Sequence, residues 1–201
     1  GAFLFSTKKV NSAKVADVLR SRGHKIITIN DEGKLISATK IKVDNVNLLE
    51  GKALGTNDCD FIVGIGTFFY KGNYGKEALK AVYDNLETVL ETNPVYGHWA
   101  FVVRKADTTY VFNDMSGTMR LYTYTEGSDI IVSSSLVSVI AAIDNPKFDK
   151  VRLSAYIASG YGNEIPFVEG IECVDPLKVL VIKEGSAPVW IDRREPDIPR
   201  I

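Results

Sequence analysis

The chain has 201 residues, 45% of them hydrophobic, and a formal net charge of −1 at pH 7. That is enough apolar material for one well-filled core, expected as one domain, and the near-neutral balance leaves no electrostatic footprint for nucleic acid or an anionic membrane. No apolar run of about 18 residues and no basic-then-apolar leader occurs, and Cys59 and Cys173 lie far apart without metal-ligand spacing. A reduced, cytoplasmic setting with no metal, cofactor or membrane partner is therefore expected.

In chain order, Gly1-Ala-Phe-Leu-Phe-Ser6 reads as a short buried strand. Ser12 to Arg22 sets Val15, Val18 and Leu19 on one helical face, with a capping residue ahead and Gly23 behind, so a short helix is expected. His24 is expected at the surface entry of the next strand, because no Cys or carboxylate stands beside it. KIITIND and GKLISATKIKV alternate as a hairpin across Asp31-Glu32-Gly33. Asp60 to Tyr70 reads as a buried strand. Its Gly64-Ile-Gly66 lacks the third glycine of a dinucleotide fingerprint, so close backbone packing is the better account. From Tyr74 to Leu90, Ala78, Leu79, Val82, Leu86, Val89 and Leu90 follow a helical period between Gly75 and Pro94, predicting the longest helix of the chain.

Four β-branched and aromatic runs follow: Trp99 to Val103, Thr108 to Phe112, Leu121 to Thr125 and Ile130 to Val132. Lys-Ala-Asp, Asp-Met-Ser-Gly and Glu-Gly-Ser-Asp separate them, which predicts successive antiparallel hairpins. His98 and Trp99 are expected to pack against neighbours, and Arg104, Asp107 and Arg120 to be turn or edge charges. A helix is expected through Leu136, Val139, Ile140 and Ile143, ending at Asp144-Asn-Pro146, and a second from Ser154 to Ser159, stopped by Gly160-Tyr-Gly162. Leu177 to Ile182 and Val189 to Ile191 form the last strand pair. The charged, proline-containing residues 192–201 read as a tail or the start of a linker after a domain spanning 1–191.

The central residues also match a pattern. Gly97 to Phe101 fits a strand of the form G-x-F-A-F. Asp114, Gly117, Leu121 and Tyr122 fit R-D-x-x-G-x-x-P-L-Y-Y in register, and Ser134 and Leu136 fall within F-A-S-E-L-K-A-L, with Ser135 where the pattern has Glu. Pro166, Phe167, Gly170 and Ile171 follow in the order of P-F-x-G-I. These stretches resemble the glutaminase domain of asparagine synthetase-like proteins, class II glutamine amidotransferases of the N-terminal nucleophile hydrolase superfamily. The resemblance covers roughly the second half of the chain. It implies an α+β fold, a four-layer αββα sandwich of two antiparallel sheets, where propensity alone predicts only mixed α+β with many hairpins.

The same resemblance implies a site from which parts are missing. The family opens on Cys-Gly-Ile, its thiol attacking the glutamine amide with the α-amine as general base. Gly1 and Ala2 carry neither thiol nor hydroxyl, so either Gly1 is an extraneous residue before a natural Ala2 or a Cys precedes Gly1. Ser6 lies too far along the strand to use the α-amine. Of the family's H-R-G-P-D only Arg22-Gly23 is kept. Aligned on Gly66, Ile65 stands where the family has its oxyanion Asn and Thr67 where it has Glu. Gly72-Asn73-Tyr74-Gly75 replaces the Gly-Ser-Asp that grips the substrate ammonium. No catalytic residue is therefore assigned, and a residual pocket is expected at the N-terminal strand, Thr67, Asn73 and Asp114. The expected role is a degenerate glutaminase-like scaffold for an ATP-pyrophosphatase-type synthetase domain in cis or trans. The alternatives are an active amidotransferase whose Cys precedes Gly1, and a domain that binds another small polar ligand.

Overall fold

In the computed structural model, residues 1–28, 35–39, 46–92, 94–159 and 166–193 are described. They form an α+β fold with two antiparallel sheets. The chain divides into two compact units, Gly1–Asp44 with Arg120–Val174 and Asn45–Met119 with Asp175–Ile201.

In the first unit, β1 (Ala2–Ser6) is buried along its whole length. It pairs with β3 (Leu35–Thr39) on one side and β10 (Asp129–Ser133) on the other. All five of its residues are buried, so both faces are covered and the run Ala-Phe-Leu-Phe need not alternate with polar residues. With β2 (His24–Thr28), β9 (Tyr122–Glu126) and β11 (Ile171–Cys173), the sheet order is β11-β9-β10-β1-β3-β2. β2 and β3 pair antiparallel as expected, while the turn at Asp31-Glu32-Gly33 lies outside the described residues. Helix α1 (Ser12–Ser21) is capped by Asn11, whose side chain accepts from the Lys14 N–H at 3.0 Å. Its Val15 and Leu19 pack with Leu4, Ile131, Ile171 and with Val139 of α5 (Leu136–Ala142).

The second unit holds β4 (Val46–Glu50), α2 (Gly51–Leu54), β5 (Phe61–Tyr70), β6 (Asn73–Tyr74), β7 (Tyr96–Lys105), β8 (Thr108–Asn113), β12 (Lys178–Lys183) and β13 (Val189–Asp192). The sheet order is β13-β12-β8-β7-β5-β4, with β6 paired to β5. One face of β5 and β7 buries Ile62, Phe68, Trp99, Phe101 and Val103 against Ala78, Leu79, Val82 and Leu86. Trp99 stacks on Phe101 at 4.4 Å between centroids, and Phe68 meets Phe101 edge-on at 5.0 Å.

Three expectations need correction. The long helix expected from Tyr74 to Leu90 is two: α3 (Gly75–Asp84) and α4 (Leu86–Thr92). Asn85 separates them, its side-chain amide donating to the Ala81 carbonyl at 2.8 Å, the local competition that makes Asn a poor helix-interior residue. The helix expected from Ser154 starts earlier, as α6 (Lys150–Ser159), because Asp149 Oδ1 accepts from the Val151 and Arg152 N–H groups. Finally, the four central runs are not successive hairpins. β7 pairs with β8 and β9 with β10, but β8 and β9 lie in different sheets. Asp-Met-Ser-Gly is thus the start of a link from one sheet to the other.

Candidate functional site

The link that leaves β8 is wound around one carboxylate. Asp114 is buried, and its Oδ2 accepts from the Met119 N–H at 2.8 Å and the Trp99 N–H at 3.3 Å. Its Oδ1 accepts from the Thr118 N–H at 3.0 Å and from the Ser116 hydroxyl. The Asp114 backbone joins in, donating to the Trp99 carbonyl and accepting from the Gly117 N–H, both at 2.9 Å. Four donors saturate the carboxylate, so it serves its own loop. What the loop turns outward is the exposed hydroxyls of Ser116 and Thr118, 2.8 Å apart.

Ile65 lies on β5 with no exposed surface, opposite Ala100 of β7, which in turn faces Asn113 of β8. Asn113 is the amide in that row, but two strand spacings put it about 10 Å from Ile65. Its Nδ2 is also committed to the Met119 carbonyl at 2.7 Å. No side chain in the row offers an amide donor at the Ile65 position. Two residues along β5, Thr67 is exposed opposite His98, itself exposed. Asn73 is half-buried at the β5–β6 turn and donates to the Lys71 carbonyl at 3.2 Å. Thr67, Ile65 and Asn73 thus belong to one hairpin, whose register is set by β5.

The glycines of β5 are there for close packing, as expected from the missing third glycine. A Cβ on Gly66, which sits at φ +90°, would lie 2.0 Å from the His98 carbonyl oxygen. One on Gly64 would lie 2.7 Å from Leu79 Cδ1.

In the first unit, Ala2 opens β1 and Phe3 is fixed by two serines: Ser134 Oγ accepts from its N–H at 3.2 Å, and Ser133 Oγ donates to its carbonyl. Ser6 sits four residues beyond Ala2, about 14 Å along an extended strand, and its hydroxyl donates to the Lys8 carbonyl at 2.9 Å. His24 is half-buried, and its Nδ1 has no partner. Burial first, and then the charges of the N-terminal amine and Arg22, hold its pKa below 6.5.

Arg193 is the residue that sequence reasoning missed. It stands directly after β13, in a stretch whose composition reads as solvated tail, yet it is only 6% exposed. Nη1 donates to the Asn113 carbonyl at 2.7 Å and to the Pro176 carbonyl at 3.2 Å. Cζ lies 5.0 Å from the Phe112 ring centre and 5.8 Å from that of Trp99. Burial pushes its pKa down to about 10, with the charge of Asp114 acting in the other direction.

Among the described residues no group of three His, Cys, Asp or Glu side chains could hold a metal, and no helix is long and apolar enough to cross a membrane.

No family model and no curated protein matches the sequence. Solved structures do match in fold. Glutamine phosphoribosylpyrophosphate amidotransferase from B. subtilis, complexed with ADP and GMP, superposes with a TM-score of 0.55 at 10% identity over 96% of this chain. The structure described as the allosteric regulatory enzyme of purine biosynthesis gives 0.57, also at 10% identity and 96% coverage. The fold is that of these amidotransferases. It is the α+β, N-terminal nucleophile hydrolase-like fold expected from the central motifs, and at this identity the likeness concerns fold alone. The chain spans about half the length of the structures it matches, 49% in both cases.

Proposed function

We propose that this chain is a class II glutamine amidotransferase-like domain, related to the glutaminase domain of asparagine synthetases, that has kept the scaffold and lost glutamine hydrolysis. The observation that carries the reading is Ile65, a fully buried hydrocarbon at the position aligned with the oxyanion amide. Amide hydrolysis builds negative charge on the carbonyl oxygen, and losing one donor to that oxygen costs about 100- to 1,000-fold in rate. One further feature supports it: the Gly72–Gly75 turn supplies no carboxylate for a substrate ammonium. We assign the domain a docking or stabilising role toward a synthetase-type domain or partner, as the resemblance to the glutaminase domain of asparagine synthetases implies.

A second reading is an active amidotransferase whose catalytic Cys precedes Gly1. It is favoured by the way the start of β1 is pinned, with Phe3 held by Ser133 and Ser134. The test is ammonia release from glutamine by the protein carrying its natural start. The first reading expects none above buffer; release abolished by a thiol-blocking reagent would reject it. Ala2→Cys alone is expected to stay inactive, because the Ile65 position still lacks its donor.

A further inference from the structure

Arg193 holds more charge in the interior than its packing position explains. Its Nε and Nη2 are buried without partners, and the carbonyl contacts to Asn113 and Pro176 are made by Nη1 alone. A buried guanidinium with two unused donors is costly, and an apolar side chain would fill the space against Phe112 and Trp99 without that cost. The charge finds its use one residue along. Asn113, whose carbonyl Arg193 holds, precedes Asp114, and Asp114 gathers the N–H groups of Trp99, Thr118 and Met119 around a buried negative charge. Meanwhile the backbone N–H of Arg193 donates to the Leu177 carbonyl at 2.7 Å, fixing the chain where it leaves β13.

We propose that Arg193 is a positioning residue for the 114–119 loop. It clamps the Asn113 carbonyl, balances the Asp114 carboxylate and so makes the loop's bound form depend on the path of the chain at residues 192 and 193. A displacement that withdraws Arg193 releases the Asn113 carbonyl and loosens the loop that presents Ser116 and Thr118. The exit of the chain from β13 and the loop's outward hydroxyls are thereby one mechanical unit, whether or not glutamine is hydrolysed.

The test is residue-resolved amide exchange on the full chain, comparing wild type with Arg193→Met and Arg193→Lys. Arg193→Met is expected to speed exchange at the Thr118 and Met119 amides by about tenfold relative to Val63 and Val102 of β5 and β7, a local opening. Arg193→Lys, which keeps the charge, is expected to recover most of that protection. A residue that only filled space would give the opposite order, with Met tolerated at least as well as Lys. Uniform acceleration at all four amides, no acceleration at Thr118 and Met119, or Met outperforming Lys would each overturn the proposal. Should Arg193→Met not fold, Arg193→Gln takes its place in the same comparison with Arg193→Lys, with the same expected order and the same overturning outcomes.

Discussion

The Tyr83 hydroxyl donates to Asp60 Oδ2 at 2.6 Å, tying α3 to the start of β5. The other carboxylate oxygen, Oδ1, accepts from the Ala106 N–H at 2.8 Å, so one acid fixes a helix and the β7–β8 turn together. Burial, then the hydrogen bond to Asp60, raises the Tyr83 pKa to about 12. The folded state therefore keeps a proton that the unfolded chain gives up near pH 10. The contribution is complete below pH 10 and disappears as pH climbs through about 12. Urea denaturation across that range should show stability falling on the order of 1–2 kcal/mol from this group. In Tyr83→Phe that part of the alkaline slope should vanish.

At the acid end His24 has the reverse sign. Its folded pKa lies below 6.5, so the unfolded chain takes up a proton first as pH drops. Stability from this residue is present above 6.5 and declines as pH falls through the folded value. An NMR titration of the imidazole should find the midpoint below 6.5. His24→Gln should flatten the acid limb of a stability profile.

Gly66 and Gly64 should respond unequally to alanine. Gly66→Ala forces a side chain into left-handed backbone and against the rigid His98 carbonyl, so a loss of about 3 kcal/mol or more, or failure to fold, is expected. Gly64→Ala meets the flexible end of Leu79 and the edge of the Phe101 ring, and about 1–3 kcal/mol is expected. Chemical denaturation of the two variants side by side checks the order.

Asn11→Ala removes the acceptor for the Lys14 N–H and should cost about 1 kcal/mol. Asn11→Asp should keep the cap. Thermal melts separate the two.

Most of the framework was legible in the residues. β1, β5, β7 and β8 are short runs of apolar and β-branched residues bounded by turn chemistry, and pairing satisfies their backbones wherever they lie. What turn chemistry cannot say is which strand comes next to which. Asp-Met-Ser-Gly reads as a hairpin turn, and only tertiary pairing sends β9 to the other sheet. The break at Asn85 was hidden because the apolar period runs straight through it, while a side-chain bond to Ala81 ends the first helix. β4 was not anticipated, since Val46-Asn-Leu-Leu-Glu50 neither alternates nor forms a continuous apolar run. Ile65, Thr67, Asn73 and Asp114 were named through the motif alone. Arg193 was not legible, because charge and proline around it signal solvent, and its burial depends on Trp99 and Phe112, far earlier in the chain.

The pairing of β1 with β10 has a consequence during synthesis. Phe3 and Ser133 are 130 positions apart, so one edge of the strand Ala-Phe-Leu-Phe waits for a neighbour that the ribosome has not yet made. At about 5–20 residues per second the wait lasts roughly 6–26 s, during which an apolar strand edge is open to other nascent chains. Translation speed and chaperone supply, more than the stability of the finished molecule, should therefore govern how much of it is recovered intact from a cell.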